Sequence, residues 1–322
     1  MNRYLFLCVS VLFAAITVLP MTATASWQPE ITIGLSQGVS EVRLSATSGA
    51  LYVYDDPEKK PILEVPQGRE LAVHLLRDRI SANGKEISGE RLVVQPASDG
   101  FIRVNNTPYR GYITLLKKQG LTVVNNVPVE DYLYGVVPKE MPPGWSSEAL
   151  RAQSVAARTF ALKNRRRHMA EGFDLCNTAH CQVYEGMSAE TRATTEAVNS
   201  TRGEVLFYKG TVIDALFHTD SGGMTEFSEH VWGSPVPYLR AVKELRTQTQ
   251  PWSRTVSMAS FVQKIEAGGK SLGTLKEIRL SPLTIGKGSA DRTPSGRVRM
   301  AEFVGTKGCI SLSGNDLRSM FS

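Results

Sequence analysis

The sequence predicts an α+β protein, with a β-rich N-terminal module over residues 26–120 followed by a mixed helix and sheet region over residues 121–322. Two observations predict this fold class. The first region holds short runs of β-branched and aromatic residues, separated by turn-forming pairs such as Asn83-Gly84. The second region holds a long helical pattern that begins near Ser146, together with further strand patterns.

The N-terminus has the pattern of a secretory signal peptide over residues 1–25. Arg3 is followed by a largely apolar run, Tyr4 to Leu19, and by the small-residue cleavage pattern Ala23-Thr24-Ala25. The alternative is a membrane anchor, because about 16 apolar residues approach the shorter end of what can span a bilayer. The cleavage pattern favours removal of the peptide, so we expect an exported protein that lies outside the cytoplasm and associates with the cell wall.

Composition narrows the class of partner only slightly. Loss of Arg3 leaves 36 basic residues against 31 acidic ones. A mild cationic surplus suits an anionic partner such as cell wall, lipid headgroups or nucleic acid, and charge alone does not choose among them. The remaining chain, with 42% hydrophobic residues overall, is long enough to bury a large core in one or two domains.

The N-terminal module shows no recognisable catalytic or metal-binding motif. Its predicted strands are Val42–Leu44, Leu51–Tyr54, Leu71–Leu76, Leu92–Val94 and Phe101–Val104. We identify no catalytic acid pair, metal-ligand cluster or phosphate-binding loop in this region. We therefore expect a scaffold or a wall-binding surface.

Glu140 is the first candidate catalytic residue. Pro128 is predicted to open a short helix, and Glu140 follows it, between Pro138 and Pro142-Pro143. Because proline disfavours helical geometry in the residue before it, Met141 should be extended and Glu140 should occupy an irregular junction. Apolar neighbours such as Trp145 would keep the carboxyl group protonated enough to act as a general acid. The alternative is an ordinary solvated charge.

The long helix supplies Arg158. The helix is predicted to begin in the cap region Ser146 to Glu148, and Arg165-Arg166-Arg167 is predicted to complete its last turn. An arginine among the small and apolar residues of this helix must be paired or must reach a cleft. A cleft residue and a buried ion pair, with Glu130 or Glu148 as its partner, are both open.

A third candidate site follows a predicted hairpin that turns at Lys209-Gly210. Ser221-Gly222-Gly223 should approach a ligand closely and offer main-chain amide donors, which favours a turn that binds a sugar or an acyl group. The nearby His218 and Asp220 also allow a nucleophilic triad built on Ser221. The GxSxG elbow is absent, which disfavours that alternative.

The three cysteines after the signal peptide allow two interpretations. In an exported protein, Cys176 and Cys181 are close enough in sequence for a short-loop disulfide, which we favour. The alternative is a structural zinc ion held by both thiolates with His168, His180 or His218. Cys309 is left without a partner and is predicted to be a buried thiol.

Many ordered blocks of the chain resemble the stage II sporulation protein D and amidase enhancer family of bacterial wall proteins. The blocks are Tyr109-Arg110-Gly111, Glu130 to Pro142, Glu148-Ala149-Leu150, Ala152-Gln153, Ala156 to Phe160, Cys181 to Gly186, Phe217-His218, Ser221 to Glu226, Val231-Trp232-Gly233 and Pro237-Tyr238-Leu239.

The resemblance implies a lytic transglycosylase that cuts peptidoglycan between N-acetylmuramic acid and N-acetylglucosamine and leaves a 1,6-anhydro end. It implies that Glu140 is the catalytic acid and that Arg158 lies in the active cleft, and we expect Ser221, Gly222, Gly223 and Tyr238 to bind substrate. A transglycosylase uses the C6 hydroxyl of its substrate as nucleophile, so one glutamate can serve as acid and then as base.

The resemblance also implies the cofactors and partners. No cofactor is required, although some relatives hold zinc near the Cys176 to Cys181 loop, and no nucleic acid partner is expected. The second hypothesis is a non-catalytic wall-binding protein that activates an N-acetylmuramoyl-L-alanine amidase. Relatives usually continue past residues 312–318 into a Gly-His-rich block, whereas this sequence ends at Ser322. We therefore expect the catalytic region to be incomplete at its C-terminus.

Overall fold

The computed structural model describes residues 29–321 except 59, 77, 98–99, 246–252, 268 and 270. The predicted signal peptide lies outside these residues and stays a prediction. Within the described residues, no helix is both long enough and apolar enough to cross a membrane.

The chain forms two compact units. One comprises the residues up to Ser154 together with Arg165–Gly203, and the other comprises Val155–Asn164 together with Glu204–Ser322. The predicted boundary between modules at residue 120 falls inside the first unit. Whether the two predicted modules are separate folding domains stays a prediction. Strands and helices occur in both units, which confirms the predicted α+β class.

The first unit is built on two sheets. Its strands are β1 (Glu30–Val39), β2 (Glu41–Ala46), β3 (Leu51–Tyr54), β4 (Leu63–Val65), β5 (Glu70–Leu76), β6 (Arg79–Ala82), β7 (Lys85–Ile87), β8 (Arg91–Pro96), β9 (Ile102–Val104), β10 (Thr107–Tyr109), β11 (Tyr112–Lys118), β12 (Gly120–Pro128) and β13 (Leu175–Cys176). In the described part of the chain, one sheet has the order β13-β1-β12-β11-β8-β3-β4 and the other the order β10-β9-β2-β5-β6-β7.

The strand predictions for this unit are confirmed, because all five predicted runs coincide with strands apart from Phe101, which precedes β9. The alternation of side chains explains the success. In β2, Val42 and Leu44 are buried while Glu41 and Arg43 are exposed, as expected for a strand with one face on the core.

Helix α1 (Val129–Glu140) continues directly from β12. Pro128 stands at its N-cap, and Met141, with φ −141° and ψ 133°, is extended, as the proline pattern predicted. Pro138 does not frame the junction as expected, because it lies inside the last turn of α1. Its missing N–H there removes only one bond, to the carbonyl of Tyr134.

Helix α2 (Ser147–Lys163) begins where the cap region predicted but ends earlier than expected. The predicted last turn at Arg165-Arg166-Arg167 is wrong. Arg166 has a φ of 70°, in the left-handed region that ends a helix. A short 3₁₀ helix (Gly186–Ala189) and helix α3 (Arg192–Ser200) complete the first unit.

In its described residues, the second unit contains the C-terminal part of α2, a short hairpin, three further helices and a small sheet. Its elements are β14 (Phe207–Tyr208), β15 (Thr211–Val212), α4 (Ser228–Trp232), α5 (Met258–Glu266), β16 (Leu275–Arg279), β17 (Met300–Gly305), β18 (Cys309–Ser313) and α6 (Gly314–Phe321). Lys209 and Gly210 both have positive φ, as a tight hairpin turn requires. Ile265, Leu272 and Phe303 are at the centre of the core that joins the helices to the sheet.

Cys309 is exposed, so the prediction of a buried thiol is wrong. It begins β18, one of the two edge strands of the sheet β16-β17-β18, and pairs with Val304. The next residue, Ile310, points to the core instead. Because successive side chains of a strand point to opposite faces, Cys309 faces outward.

Candidate functional site

Glu140 is the last residue of α1 and is half-buried. Its carboxylate accepts a hydrogen bond from the main-chain N–H of Val183, with 3.0 Å between Oε1 and N. Trp145, expected to shield it, is exposed. An acid held by a main-chain donor at the end of a helix has a defined orientation and remains open to solvent on one side.

Side-chain contacts with α1 hold the segment around Val183 in place. The hydroxyl of the fully buried Tyr132 donates to Gln182 Oε1 at 3.2 Å, and Lys139 forms an ion pair with Glu185 at 3.0 Å. Tyr184, between them, donates from its hydroxyl to Asn125 Oδ1 at 2.9 Å. The donor that holds Glu140 is therefore itself held from both sides.

Four side chains in the first unit converge in a metal-binding geometry. His168, Cys176, His180 and Cys181 each offer a ligand atom, and these atoms all lie within 4.8 Å of one another. His168 Nε2 lies 3.3 Å from His180 Nδ1 and 3.4 Å from Cys181 Sγ, and His180 Nδ1 lies 3.6 Å from each sulfur. Neither cysteine is in a disulfide in the structure.

The four separations of 3.3–3.6 Å fit a tetrahedral zinc ion. With zinc at about 2.3 Å from sulfur and about 2.0 Å from nitrogen, neighbouring ligand atoms are separated by about 3.3–3.8 Å. Glu171 Oε1 lies 3.4 Å from His168 Nδ1, the position from which a carboxylate orients a metal-bound histidine. His218, which the sequence also offered as a ligand, lies in the second unit.

The two thiols differ in acidity. Burial opposes ionisation of Cys176, but hydrogen bonds from Thr178, His180 and Cys181 outweigh it and lower the pKa of Cys176 from 9.0 to about 6. Burial, and then the neighbouring Cys176, raise the pKa of Cys181 to about 11. A low-pKa thiolate beside two imidazoles is a suitable donor set for zinc and also a reactive partner for disulfide formation.

Arg158 lies on α2 within the second unit, and only 1% of it is exposed. Its Nη1 donates to the main-chain carbonyl of Glu204 at 3.1 Å. One residue further, Thr159 Oγ1 accepts the N–H of Leu206 at 3.0 Å. This part of α2 therefore holds the chain that leads into hairpin β14–β15.

The Ser221-Gly222-Gly223 turn also lies in the second unit. Gly222 and Gly223 have φ of 68° and 104°, which only glycine adopts easily. Their N–H groups donate to Asp220 Oδ1 at 2.7 Å and to Ser221 Oγ at 3.2 Å. The amides expected to face a ligand are thus engaged within the turn.

Ser221 and Tyr238 are likewise engaged. The hydroxyl of Ser221, a buried residue, donates to Glu244 rather than to a histidine. Tyr238 accepts the N–H of Asp214 on its hydroxyl at 3.3 Å, and its ring lies 5.5 Å from that of Tyr208. These contacts order the second unit around the turn.

A half-buried ionic cluster stands at the start of α1. Arg110 binds Glu190 through two hydrogen bonds of 2.7 and 2.8 Å. Burial raises the pKa of Asp131, against the opposing charge of Arg110. Gly111, with φ of 75°, has no room for a Cβ against the carbonyl of Asn126.

The structure thus groups the predicted site residues by unit. Glu140, His168, Cys176 and Cys181 lie in the first unit, and Arg158, Ser221, Gly222, Gly223 and Tyr238 lie in the second. Sequence patterns did not single out two groups of the site. His180 was only one of three possible histidines, and the N–H of Val183 carries no side-chain signal at all.

Comparison with known proteins agrees with the resemblance. The sequence model of the family described as Stage II sporulation protein (SpoIID) matches residues 117–208. The chain is 34% identical over 202 residues to stage II sporulation protein D of Bacillus subtilis, which covers 56% of this chain and 58% of that one. It is 44% identical over 125 residues to the amidase enhancer of the same organism, covering 39% of this chain and 17% of that one.

An uncharacterised protein of Brachyspira hyodysenteriae is 38% identical over 169 residues, covering 51% of this chain and 46% of that one. The chain thus spans less than two thirds of the length of each of these relatives. The match of the SpoIID family model to residues 117–208 confirms the predicted resemblance. That segment contains Glu140 and all four ligand residues.

Proposed function

We propose that this protein acts on the bacterial cell wall as a peptidoglycan lytic transglycosylase, with Glu140 as its general acid and base. The observation that carries the proposal is the position of Glu140 within the SpoIID domain, at the end of α1, with its carboxylate oriented by Val183 N–H. The mildly cationic chain suits an anionic wall polymer. We propose that it reaches the wall by export.

The reaction requires one acid that changes role. Protonated Glu140 donates to the glycosidic oxygen, so the bond between C1 of N-acetylmuramic acid and N-acetylglucosamine breaks. The C6 hydroxyl of the same muramic acid then attacks C1 and returns its proton to the Glu140 carboxylate. The product is a 1,6-anhydro ring, and no water is consumed. A second carboxylate is unnecessary because the nucleophile belongs to the substrate.

The four ligands His168, Cys176, His180 and Cys181 would hold a structural zinc ion. When bound, such an ion supplies a crosslink between parts of the chain, because four protein ligands fill a tetrahedral site. The proposed zinc ion would not contact Glu140, whose carboxylate is oriented by the main-chain N–H of Val183.

The test compares purified mature wild type and Glu140→Gln on glycan strands stripped of their stem peptides. Mass spectrometry of the products should detect anhydro-muropeptides from wild type. Removing the general acid should lower their rate of formation by about 10²–10⁴-fold. Glu196→Gln is the control, because it changes an exposed carboxylate of the same domain, paired with Arg192 on α3. Equal rates for Glu140→Gln and wild type would exclude Glu140 as the acid.

The second candidate is a non-catalytic activator of a cell-wall amidase. The identity to an amidase enhancer favours it. In this case, the protein should bind sacculi and raise the rate at which a purified N-acetylmuramoyl-L-alanine amidase releases stem peptides. Wild type should then yield no anhydro products, and Glu140→Gln should stimulate as well as wild type.

A further inference from the structure

The metal ligands and Glu140 are joined by a very short path. Cys181 belongs to the four-ligand group, and Val183, two residues later, donates its N–H to the Glu140 carboxylate. Gln182, between them, is 1% exposed, and its side chain accepts a hydrogen bond from Tyr132 on α1. Because a single residue separates Cys181 from Val183, a shift of Cys181 should move the donor to Glu140.

The loop that carries three of the ligands also closes on itself. Cys181 N–H donates to the Thr178 carbonyl at 3.0 Å, and Tyr184 N–H donates to the Asn177 carbonyl at 3.1 Å. These bonds are local, and Cys176 pairs with β1 only through the two-residue strand β13. His168, the fourth ligand, comes from a separate segment after α2. A metal ion would tie that segment, β13 and the loop together at one point.

We infer that the main-chain N–H of Val183 positions the Glu140 carboxylate, and that metal binding by His168, Cys176, His180 and Cys181 controls this donor. The inference rests on the proposed role of Glu140. Without the ion, the Cys176 to Cys181 loop lacks this crosslink and opens more often. With the ion, the loop is closed and the donor is fixed. The ion thereby acts on the reaction through the chain, with no contact to the substrate.

The direct test is hydrogen exchange of the Val183 amide, measured by NMR on the mature wild-type protein. The protein is stripped with a chelator and then reloaded with zinc chloride, with bound zinc measured by elemental analysis. Zinc should slow exchange at Val183 by at least about tenfold, the effect of a hydrogen bond to a charged group. The Val73 amide, on β5 of the six-stranded sheet, is the internal reference, and its exchange rate should not change with zinc.

Two results of this test would overturn the inference. One is failure of the reduced protein to bind zinc, and the other is equal exchange at Val183 with and without bound zinc. Glu140→Ala provides the second arm, because it removes the acceptor. Exchange at Val183 should then be faster even with zinc bound, and unchanged exchange would show that the bond to Glu140 does not protect this amide. Neither arm measures activity, so both stand if the proposed function fails.

The kinetic arm asks whether the metal affects the step that Glu140 performs. His180→Ala should lose zinc and show a lower kcat for anhydro-product formation with an unchanged KM, since substrate binding is not altered. Cys309→Ser is the matched control, because it removes an exposed thiol outside the ligand group. Wild-type kcat in a zinc-free His180→Ala protein would overturn the inference, whereas wild-type activity in Glu140→Gln would overturn the proposed function instead. Chelated wild type serves as a second zinc-free sample should His180→Ala not fold.

Discussion

Arg158 and Glu140 are both charged, but the fold places them in different environments. Glu140 is half-buried at a helix end, whereas Arg158 is enclosed and donates to the carbonyl of Glu204. Enclosing a guanidinium is costly unless its donors are satisfied, and its planar fork suits several acceptors at once. The geometry therefore gives Arg158 a structural role in holding the chain before hairpin β14–β15.

Replacement of Arg158 should consequently reduce stability. Arg158→Ala leaves a cavity and removes the donor to Glu204, so we expect the free energy of unfolding to fall by about 2–4 kcal/mol. Arg158→Lys should recover only part of this, because an ammonium group cannot reproduce the fork. Urea denaturation followed by circular dichroism measures both.

The control for this prediction is Arg151→Ala on the same helix. Arg151 forms an ion pair of 3.0 Å with Glu148 near the surface, and such pairs contribute about 0–1 kcal/mol. If Arg158→Ala unfolds at the same urea concentration as Arg151→Ala, the structural role is excluded. A raised KM at full stability would instead favour direct contact with the substrate.

At the scale of elements, helix α1 shows what local patterns can and cannot predict. Its bounds follow from Pro128 at the start and from the proline pair at residues 142–143 at the end. The packing of α1 does not follow from local patterns. A Cβ on Gly135 would lie 2.7 Å from the ring of Tyr184 and 2.8 Å from the carbonyl oxygen of Gly186. This close approach depends on a segment about 50 residues away.

Gly135→Ala therefore sets two effects against each other. Alanine is favoured over glycine in a helix by about 1 kcal/mol. Overpacking against a ring and a main-chain oxygen costs about 1–3 kcal/mol, and the Tyr184 ring cannot move freely because its hydroxyl binds Asn125. We expect a net loss of stability, together with faster exchange at the neighbouring Val183 amide.

Gly144→Ala is the matched control for this substitution. A Cβ at Gly144 meets nothing within 4 Å, so alanine there should stabilise the protein by about 0.4–1 kcal/mol. Thermal unfolding of the two variants should therefore shift in opposite directions. A stabilised Gly135→Ala would mean that the segment around Tyr184 yields easily, which would also weaken the case for a fixed donor to Glu140.

At the scale of the whole molecule, local alternation predicted much of the first unit, and long-range pairing set the rest. The Cys176 to Cys181 loop was recognisable as a metal or disulfide site. That both His168 and His180 take part was not predicted, because His168 reaches the site through folding of the segment that ends at Phe173, whose ring stacks on it at 5.2 Å. Val183 was invisible to side-chain patterns because it acts through its main chain.

The second unit was harder to predict because buried polar contacts hold much of it. The side chain of Glu226 is 7% exposed and accepts hydrogen bonds from Thr293 Oγ1 at 2.6 Å, from His230 at 3.0 Å and from Ser295. Arg297 approaches the same carboxylate at 3.9 Å. These bonds connect the segment after the Ser221 turn with residues 293–297, and no periodic pattern in the sequence predicts them.

The ionised Glu226 should make the stability of this unit depend on pH. Burial alone would raise the pKa of Glu226, but the hydrogen bonds from Ser295, Thr293 and His230 outweigh it and hold the pKa below its ordinary value of 4.5. A lowered folded-state pKa means that the stabilisation is fully present above pH 4.5 and is lost as the pH falls through the folded-state value.

Glu226→Gln should therefore be less stable than wild type at pH 7, and the difference should shrink on acidification. Urea denaturation at a series of pH values measures it, with Glu277→Gln, an exposed carboxylate of the same unit, as control. A difference that stays constant from pH 7 down to the acid limit of folding would show that Glu226 acts through its shape and not through its charge.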